Sequence, residues 1–272
     1  MNRQELIQQI KAKQSYLCVG LDTDLQKIPK HLLKEADPVL AFNKAIIEAT
    51  QSYAVAYKIN TAFYEAMGAD GWRVMEETLA SIPDSCFTIA DAKRGDIGNT
   101  SNQYARAFFE TLKFDSITLA PYMGKDSIEP FFTYPGKWGI VLALTSNPGS
   151  ADFEQQTIGN QRLYEMVIDR VVSYTTPENL MFVVGATKPE ELGAIRQRIP
   201  QHFMLVPGVG AQGGDLHSLS RQGLNKDCGL LVNASRSILY ASGGEDFSEA
   251  ASREAAVLAG QMSALLKEAG IS

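Results

Sequence analysis

Cysteine is scarce. The 272 residues contain three, Cys18, Cys86 and Cys228. An odd number without close spacing argues against a disulfide framework and fits reduced thiols packed in the interior of a cytoplasmic protein. A catalytic thiol is the alternative reading of any one of them. Histidine is equally sparse. His31, His202 and His217 are scattered without metal-ligand spacing, which speaks against a metal site built from His or Cys and reads as surface or loop positions. No apolar run approaches the roughly 20 residues that a membrane-spanning helix needs. The opening segment MNRQELIQQIKAKQ is a short polar helix by pattern and lacks the apolar core of a signal peptide. Basic charge is also in deficit: a formal net charge of −6 argues against a general nucleic-acid binder. A local cation cluster for a phosphorylated small molecule remains compatible with that balance. There is no low-complexity tract, linker or shift in composition.

What is present is regular alternation. Short runs rich in Val, Ile, Leu and Phe recur eight times: YLCVGLD, YAVAYKIN, CFTIAD, DSITLAP, WGIVLALT, LMFVVGA, FMLVPGV and CGLLVNA. Between most of them lie segments of helical period, such as DPVLAFNKAIIEATQSY and DGWRVMEETLASIP, and the chain closes on the long amphipathic stretch SEAASREAAVLAGQMSALLKEAG. Near-continuous apolar strands alternating with helices predict parallel βαβ units covered on both faces. About eight such units in a chain of this length predict an α/β fold, a (β/α)₈ TIM barrel forming a single domain over residues 1–272 with a short N-terminal helix. A doubly wound open sheet is the alternative.

Active sites of such barrels gather at the C-terminal ends of the strands. Charge recurs there: Asp22, Lys58, Asp91 with Lys93, and Arg236. In VAYKIN, Lys58 shares one face with Ala54 and Ala56. In TIADAK, Asp91 and Lys93 are two apart, which on a pleated strand points both the same way. Asp96 lies past Gly95, beyond the strand, and need not face its own pocket. Asp91, Lys93, Arg94 and Asp96 crowd four charges into six positions although burying even one unpaired charge is costly, and one strand carries both an acid and a base candidate at its tip. Thr145–Gln161 is the least regular stretch and is expected to form a long loop over the site.

A second feature is PGVGAQGGD, Pro207–Asp215. Consecutive backbone N–H groups with glycines that permit close approach suit a phosphate. Gly208, Gly210 and Gly213 spell G-x-G-x-x-G, but the acidic residue that should end the following strand of a dinucleotide fold is missing: that strand runs into ASRS. Placed after strand seven, with NASRS after strand eight, the two segments coincide with the usual phosphate site of a barrel. Arg236 would grip the phosphate through two parallel N–H donors.

DAKRGDIGNT, Asp91–Thr100, resembles the signature of the orotidine 5′-phosphate decarboxylase family, particularly its longer bacterial form. GLD at Gly20–Asp22, YKIN at Tyr57–Asn60, APYMG at Ala120–Gly124, TSNPGS at Thr145–Ser150, PGVGAQGGD and NASRS extend the resemblance in order along most of the chain. The resemblance implies cofactor-free and metal-free decarboxylation of orotidine 5′-monophosphate to UMP in pyrimidine synthesis. It implies a Lys58, Asp91, Lys93, Asp96 array with Lys93 as proton donor to C6, and a homodimer in which Asp96 and Thr100 serve the partner's site. It also implies that Asp22 and Lys58 bind ribose hydroxyls, Ser146 the pyrimidine edge, and Gln212 and Arg236 the phosphate. Three rivals are a metal-dependent sugar-phosphate relative, which would carry an acidic residue in place of Lys58, a non-catalytic nucleotide-binding barrel, and a general phosphate-binding isomerase barrel supported only by the phosphate end. Arg94 reads as a solvated or interface residue, Trp72 and Trp138 as packing, and Lys125 and Asp126 as a helix start.

Overall fold

A computed structural model describes residues 1–185, 189–208 and 215–271. All eight apolar runs form strands. In chain order the strands are β1 Leu17–Gly20, β2 Ala54–Asn60, β3 Phe87–Arg94, β4 Ser116–Leu119, β5 Trp138–Leu144, β6 Thr157–Ile158, β7 Gln161–Arg162, β8 Leu180–Val184, β9 Phe203–Pro207 and β10 Leu230–Ala234. Eight of them close in the order β1-β10-β9-β8-β5-β4-β3-β2, while β6 and β7 make a separate antiparallel hairpin. Helices fall between consecutive barrel strands, and the fold is the α/β (β/α)₈ TIM barrel. Strands buried on both sides need apolar residues at consecutive positions, which is why LCVG, LMFVV and LLVNA show no alternation.

The principal helices are α1 Arg3–Lys13, α2 Pro38–Thr50, α3 Thr61–Glu65, α4 Ala69–Ala80, α5 Gly98–Arg106, α6 Lys125–Ile128, α7 Leu163–Val171, α8 Pro189–Arg198, α9 Leu216–Gly223, α10 Arg236–Leu239 and α11 Phe247–Glu268. Several starts are legible chemically. Pro38 opens α2, where a missing N–H costs nothing. Asp215 caps α9 by accepting from the backbone N–H groups of His217 and Ser218. Asn60, the last residue of β2, caps α3 through its side chain and so turns strand directly into helix. Lys125 begins α6, as its sequence context predicts. None of the helices among the described residues is long and apolar enough to cross a membrane.

The chain divides into two compact units. One comprises Met1–Glu5 and Lys93–Val232, the other Leu6–Ala92 and Asn233 onward. The first unit packs a core of aromatic rings, with Trp138 fully buried edge-on to Phe203 and Phe109 edge-on to Phe131. It also buries two arginines. Arg196 donates to the carbonyls of Ile199, His202, Gly223 and Gly229, and Arg3 donates to those of Pro177 and Gln201. His202, read as a surface or loop residue, does lie in the bend before β9 but is only 7% exposed. It lies edge-on to Phe182, and burial beside Arg3 and Arg196 pushes its imidazole down to about 4. A polar residue just before a strand reads as loop; only the approach of distant elements covers it. Arg94, read as a solvated or interface residue, is partly buried. Its guanidinium lies over the rings of Tyr104 and Phe108, 5.4 and 5.7 Å from their centroids. Trp72, read as packing, is 39% exposed.

In the second unit Phe42 stacks between Phe247 of α11 and Tyr240, at 5.2 and 6.2 Å. Tyr57 and Tyr64 are buried with their hydroxyls satisfied, Tyr57 donating to the Ile47 carbonyl and Tyr64 to that of Leu21. The three cysteines are free and buried, consistent with packed thiols.

Candidate active site

The registers place the charged strand ends of the second unit side by side. Gly20 pairs with Lys58 across β1 and β2, and Asn60 with Asp91 across β2 and β3. From the middle strand Lys58 donates to Asp22 Oδ1 and Asp91 Oδ2, each at 3.0 Å. Its side chain is 6% exposed, against 22% for Asp22 and 12% for Asp91. Burial by itself would lower the ammonium's pKa. The carboxylates of Asp22 and Asp91 outweigh that and hold it above the ordinary lysine value, so Lys58 is a permanent cation. The small neighbours Ala54 and Ala56 lie on the same face of β2, as the alternation predicted.

Asp22 stands on a braced backbone. The Leu21 N–H donates to the Lys58 carbonyl, and the Leu21 carbonyl accepts from Tyr64 Oη. Thr23 Oγ1 donates to Asn43 Oδ1 at 2.6 Å, while Asn43 Nδ2 donates to Tyr64 Oη and Thr78 Oγ1. Tyr240 Oη donates to the Asp22 carbonyl and accepts from the Asp24 N–H. A carboxylate on so fixed a support is oriented before any ligand arrives. None of Asn43, Tyr64, Thr78 and Tyr240 was singled out by sequence, because each is an ordinary helix or loop residue until tertiary contacts give it a partner.

Behind Lys58, Cys18 is fully buried, and burial drives its thiol well above the usual range, with Lys58 offsetting only part of the effect. Burial likewise pushes the Cys228 thiol up to about 12. Neither is disposed to act as a nucleophile. Arg236 is the exposed first residue of α10, and among the described residues its guanidinium has no ion-pair partner.

In the first unit Lys93 is exposed, and its backbone N–H donates to Thr118 Oγ1 at 2.9 Å. Its φ of +48° is left-handed, an uncommon conformation for a residue with a side chain. Lys93 nevertheless lies within β3, which runs on to Arg94. Strained backbone of this kind concentrates at active sites. Gly95 follows with its backbone packed against the Ala120 carbonyl, where a Cβ would come within 2.7 Å. Asp96 is partly buried. Its carboxylate accepts from the Ile97 N–H at 2.7 Å, while its own N–H donates to Ser101 Oγ. Thr100 is exposed on α5. Ser146 follows β5, partly buried, with its backbone packed against Gly185. The Thr145–Gln161 segment is more ordered than a plain loop: it contains a 3₁₀ turn at Pro148–Asp152 and the β6–β7 hairpin, and Glu154 accepts from the Thr145 N–H and hydroxyl. Gln212 and the glycine-rich segment from Val209 to Gly214 lie outside the described residues.

A barrel carrying a braced carboxylate–ammonium–carboxylate cluster at the C-terminal ends of adjacent strands is the architecture of a barrel enzyme. Comparison with known proteins gives the family. Residues 15–251 match the model of the orotidine 5′-phosphate decarboxylase / HUMPS family, and the chain belongs to it. Orotidine 5′-phosphate decarboxylase from Christiangramia forsetii is 57% identical over 98% of this chain and 100% of its own length. The enzyme of the same name from Phocaeicola vulgatus is 54% identical over 98% and 99%. Among solved structures, Leishmania donovani OMP decarboxylase superposes with a TM-score of 0.81 at 37% identity, covering 95% of this chain and 99% of that one.

Proposed function

We propose that this chain, an orotidine 5′-phosphate decarboxylase converting orotidine 5′-monophosphate to UMP in pyrimidine biosynthesis, works through the charged residues that end β1, β2 and β3. The observation that carries the assignment of roles is Lys58, buried and clamped between Asp22 and Asp91. Asp22 and Lys58 hold the ribose hydroxyls. Departure of CO₂ from C6 leaves an electron pair on a carbon with no good acceptor. Lys93 stabilises that pair as a cation and delivers a proton to it, replacing the C–CO₂ bond by C–H. Asp91 crowds the substrate carboxylate. Arg236 and Gln212 take the phosphate, Ser146 the pyrimidine edge, and binding energy from the phosphate end contributes to the chemical step.

Asp96 and Thr100 complete the partner's site in a homodimer, with the whole of residues 1–272 acting as one domain in the cytoplasm. Exposed apolar side chains after β3 and β4 support a chain–chain contact there: Ile97 is 64% exposed, Tyr122 87% and Met123 49%.

The test is the ultraviolet absorbance change of orotidine 5′-monophosphate with purified protein, with and without excess EDTA. Rapid conversion unaffected by EDTA is the expected result. Loss of activity in EDTA would overturn the metal-free mechanism. A folded protein inert toward this substrate but active on sugar phosphates with Mg²⁺ would overturn the assignment of roles altogether.

A further inference from the structure

Asp22 has two carboxylate oxygens, and the clamp on Lys58 uses one. The other, Oδ2, accepts from Ser235 Oγ at 3.0 Å. Ser235 is 213 positions away in sequence, the residue immediately before Arg236. Its hydroxyl also accepts from Asn233 Nδ2 at 3.2 Å, and Asn233 Oδ1 accepts from the Cys18 thiol at 3.6 Å. Asn233 is 6% exposed and Cys18 fully buried. The chain of bonds has a direction. A serine hydroxyl owns one proton; with the Asn233 amide donating to its oxygen, that proton is left for Asp22. The thiol, donating to Oδ1, keeps the Asn233 amide turned so that its NH₂ faces Ser235.

The sequence makes room for this arrangement. A Cβ on Gly20 would stand 1.9 Å from Ser235 Oγ and 3.1 Å from Asn233 Oδ1. Any larger residue there would expel the hydroxyl, which accounts physically for the glycine of GLD.

We infer that Ser235 is a positioning residue: with Asn233 behind it, it locks the Asp22 carboxylate in the rotation that serves Lys58 and the ribose. The inference rests on the reading of Asp22 as a substrate contact. Because Ser235 and Arg236 are adjacent, the same bond ties the segment proposed to hold phosphate to the one proposed to hold ribose.

The experiment is a double-mutant cycle of Ser235→Ala and Asp22→Ala, read as kcat and KM for orotidine 5′-monophosphate together with UMP affinity by calorimetry. Loss of a hydrogen bond to a charged group predicts a fall of about tenfold in kcat/KM for Ser235→Ala, carried mainly by KM. In the Asp22→Ala background the same change should cost less than about twofold, because its target is gone. A merely structural serine would lower activity equally in both backgrounds. Asn233→Ala, which frees the hydroxyl to rotate, should give a smaller loss with the same dependence on Asp22, and it decides the matter if Ser235→Ala does not fold. Unimpaired Asp22→Ala would overturn the underlying reading. Impaired Asp22→Ala with Ser235→Ala at wild-type efficiency, or with its loss undiminished in the double variant, would overturn the inference alone.

Discussion

Replacing Lys58 by methionine keeps an unbranched side chain one heavy atom shorter and removes its charge, so the change bears chiefly on the electrostatics of the clamp. Asp22 and Asp91 each lie 3.0 Å from the ammonium and hence within twice that distance of each other. Removing one partner of a buried ion pair costs about 3–5 kcal/mol, because the remaining charge has lost its compensation. Both carboxylates keep some solvent contact, which places the expected loss near about 3 kcal/mol; at this chain length that is a fall in Tm of roughly 6–12 °C. The pH dependence is the sharper signature. In the wild type the raised Lys58 pKa contributes stability that is fully present below the unfolded lysine value and is lost only in strong alkali, so the lysine adds no slope between pH 5 and 8. In Lys58→Met, two facing carboxylates repel, and one takes up a proton at higher pH than it would unfolded. The folded variant then binds more protons than the unfolded chain, and its stability deficit shrinks as pH falls. Urea unfolding followed by tryptophan fluorescence, with Trp138 fully buried as reporter, measures the deficit at pH 7.5 and 5. A loss below about 1 kcal/mol at pH 7.5, or a deficit that does not narrow, would refute the clamp as a buried, mutually dependent triad.

Other expectations follow from the same geometry. Lys93→Ala should nearly abolish turnover while UMP still binds; full activity would remove Lys93 from the mechanism. Mixing inactive Lys93→Ala with inactive Asp96→Ala should restore some activity through hybrid dimers, and no recovery despite demonstrated subunit exchange would assign Asp96 to its own chain. His202, buried neutral with a pKa near 4, contributes stability above pH 6.5 that is lost as pH falls toward 4. His202→Phe should therefore be the more stable protein at pH 5, by up to about 2 kcal/mol, with little difference at pH 7.5. Equal stabilities at both pH values would show that the imidazole is not held neutral.

The eight apolar runs were legible as strands because burial on both faces leaves a local mark, a near-continuous stretch of large aliphatic residues, that needs no knowledge of the neighbours. Strand ends were legible too, since charge there interrupts an apolar run; Asp22, Lys58 and Asp91 stood out on that ground. What those charges do to one another was not. Lys58 meets Asp22 and Asp91 across 36 and 33 positions, and Ser235 meets Asp22 across 213, through registers that exist only once the sheet is assembled. The same holds at other positions. Lys93 lies in β3 as its sequence context suggests, but its left-handed backbone left no mark in the sequence. His202 read as a surface or loop residue, and the burial of its imidazole against Phe182 left no local mark; nor did the stacking of Arg94 on Tyr104 and Phe108. Periodicity and composition report how each residue meets solvent within its own element. Partners, burial of polar groups and the direction of a hydrogen-bond relay depend on contacts between residues far apart in the chain, and those arise only on folding.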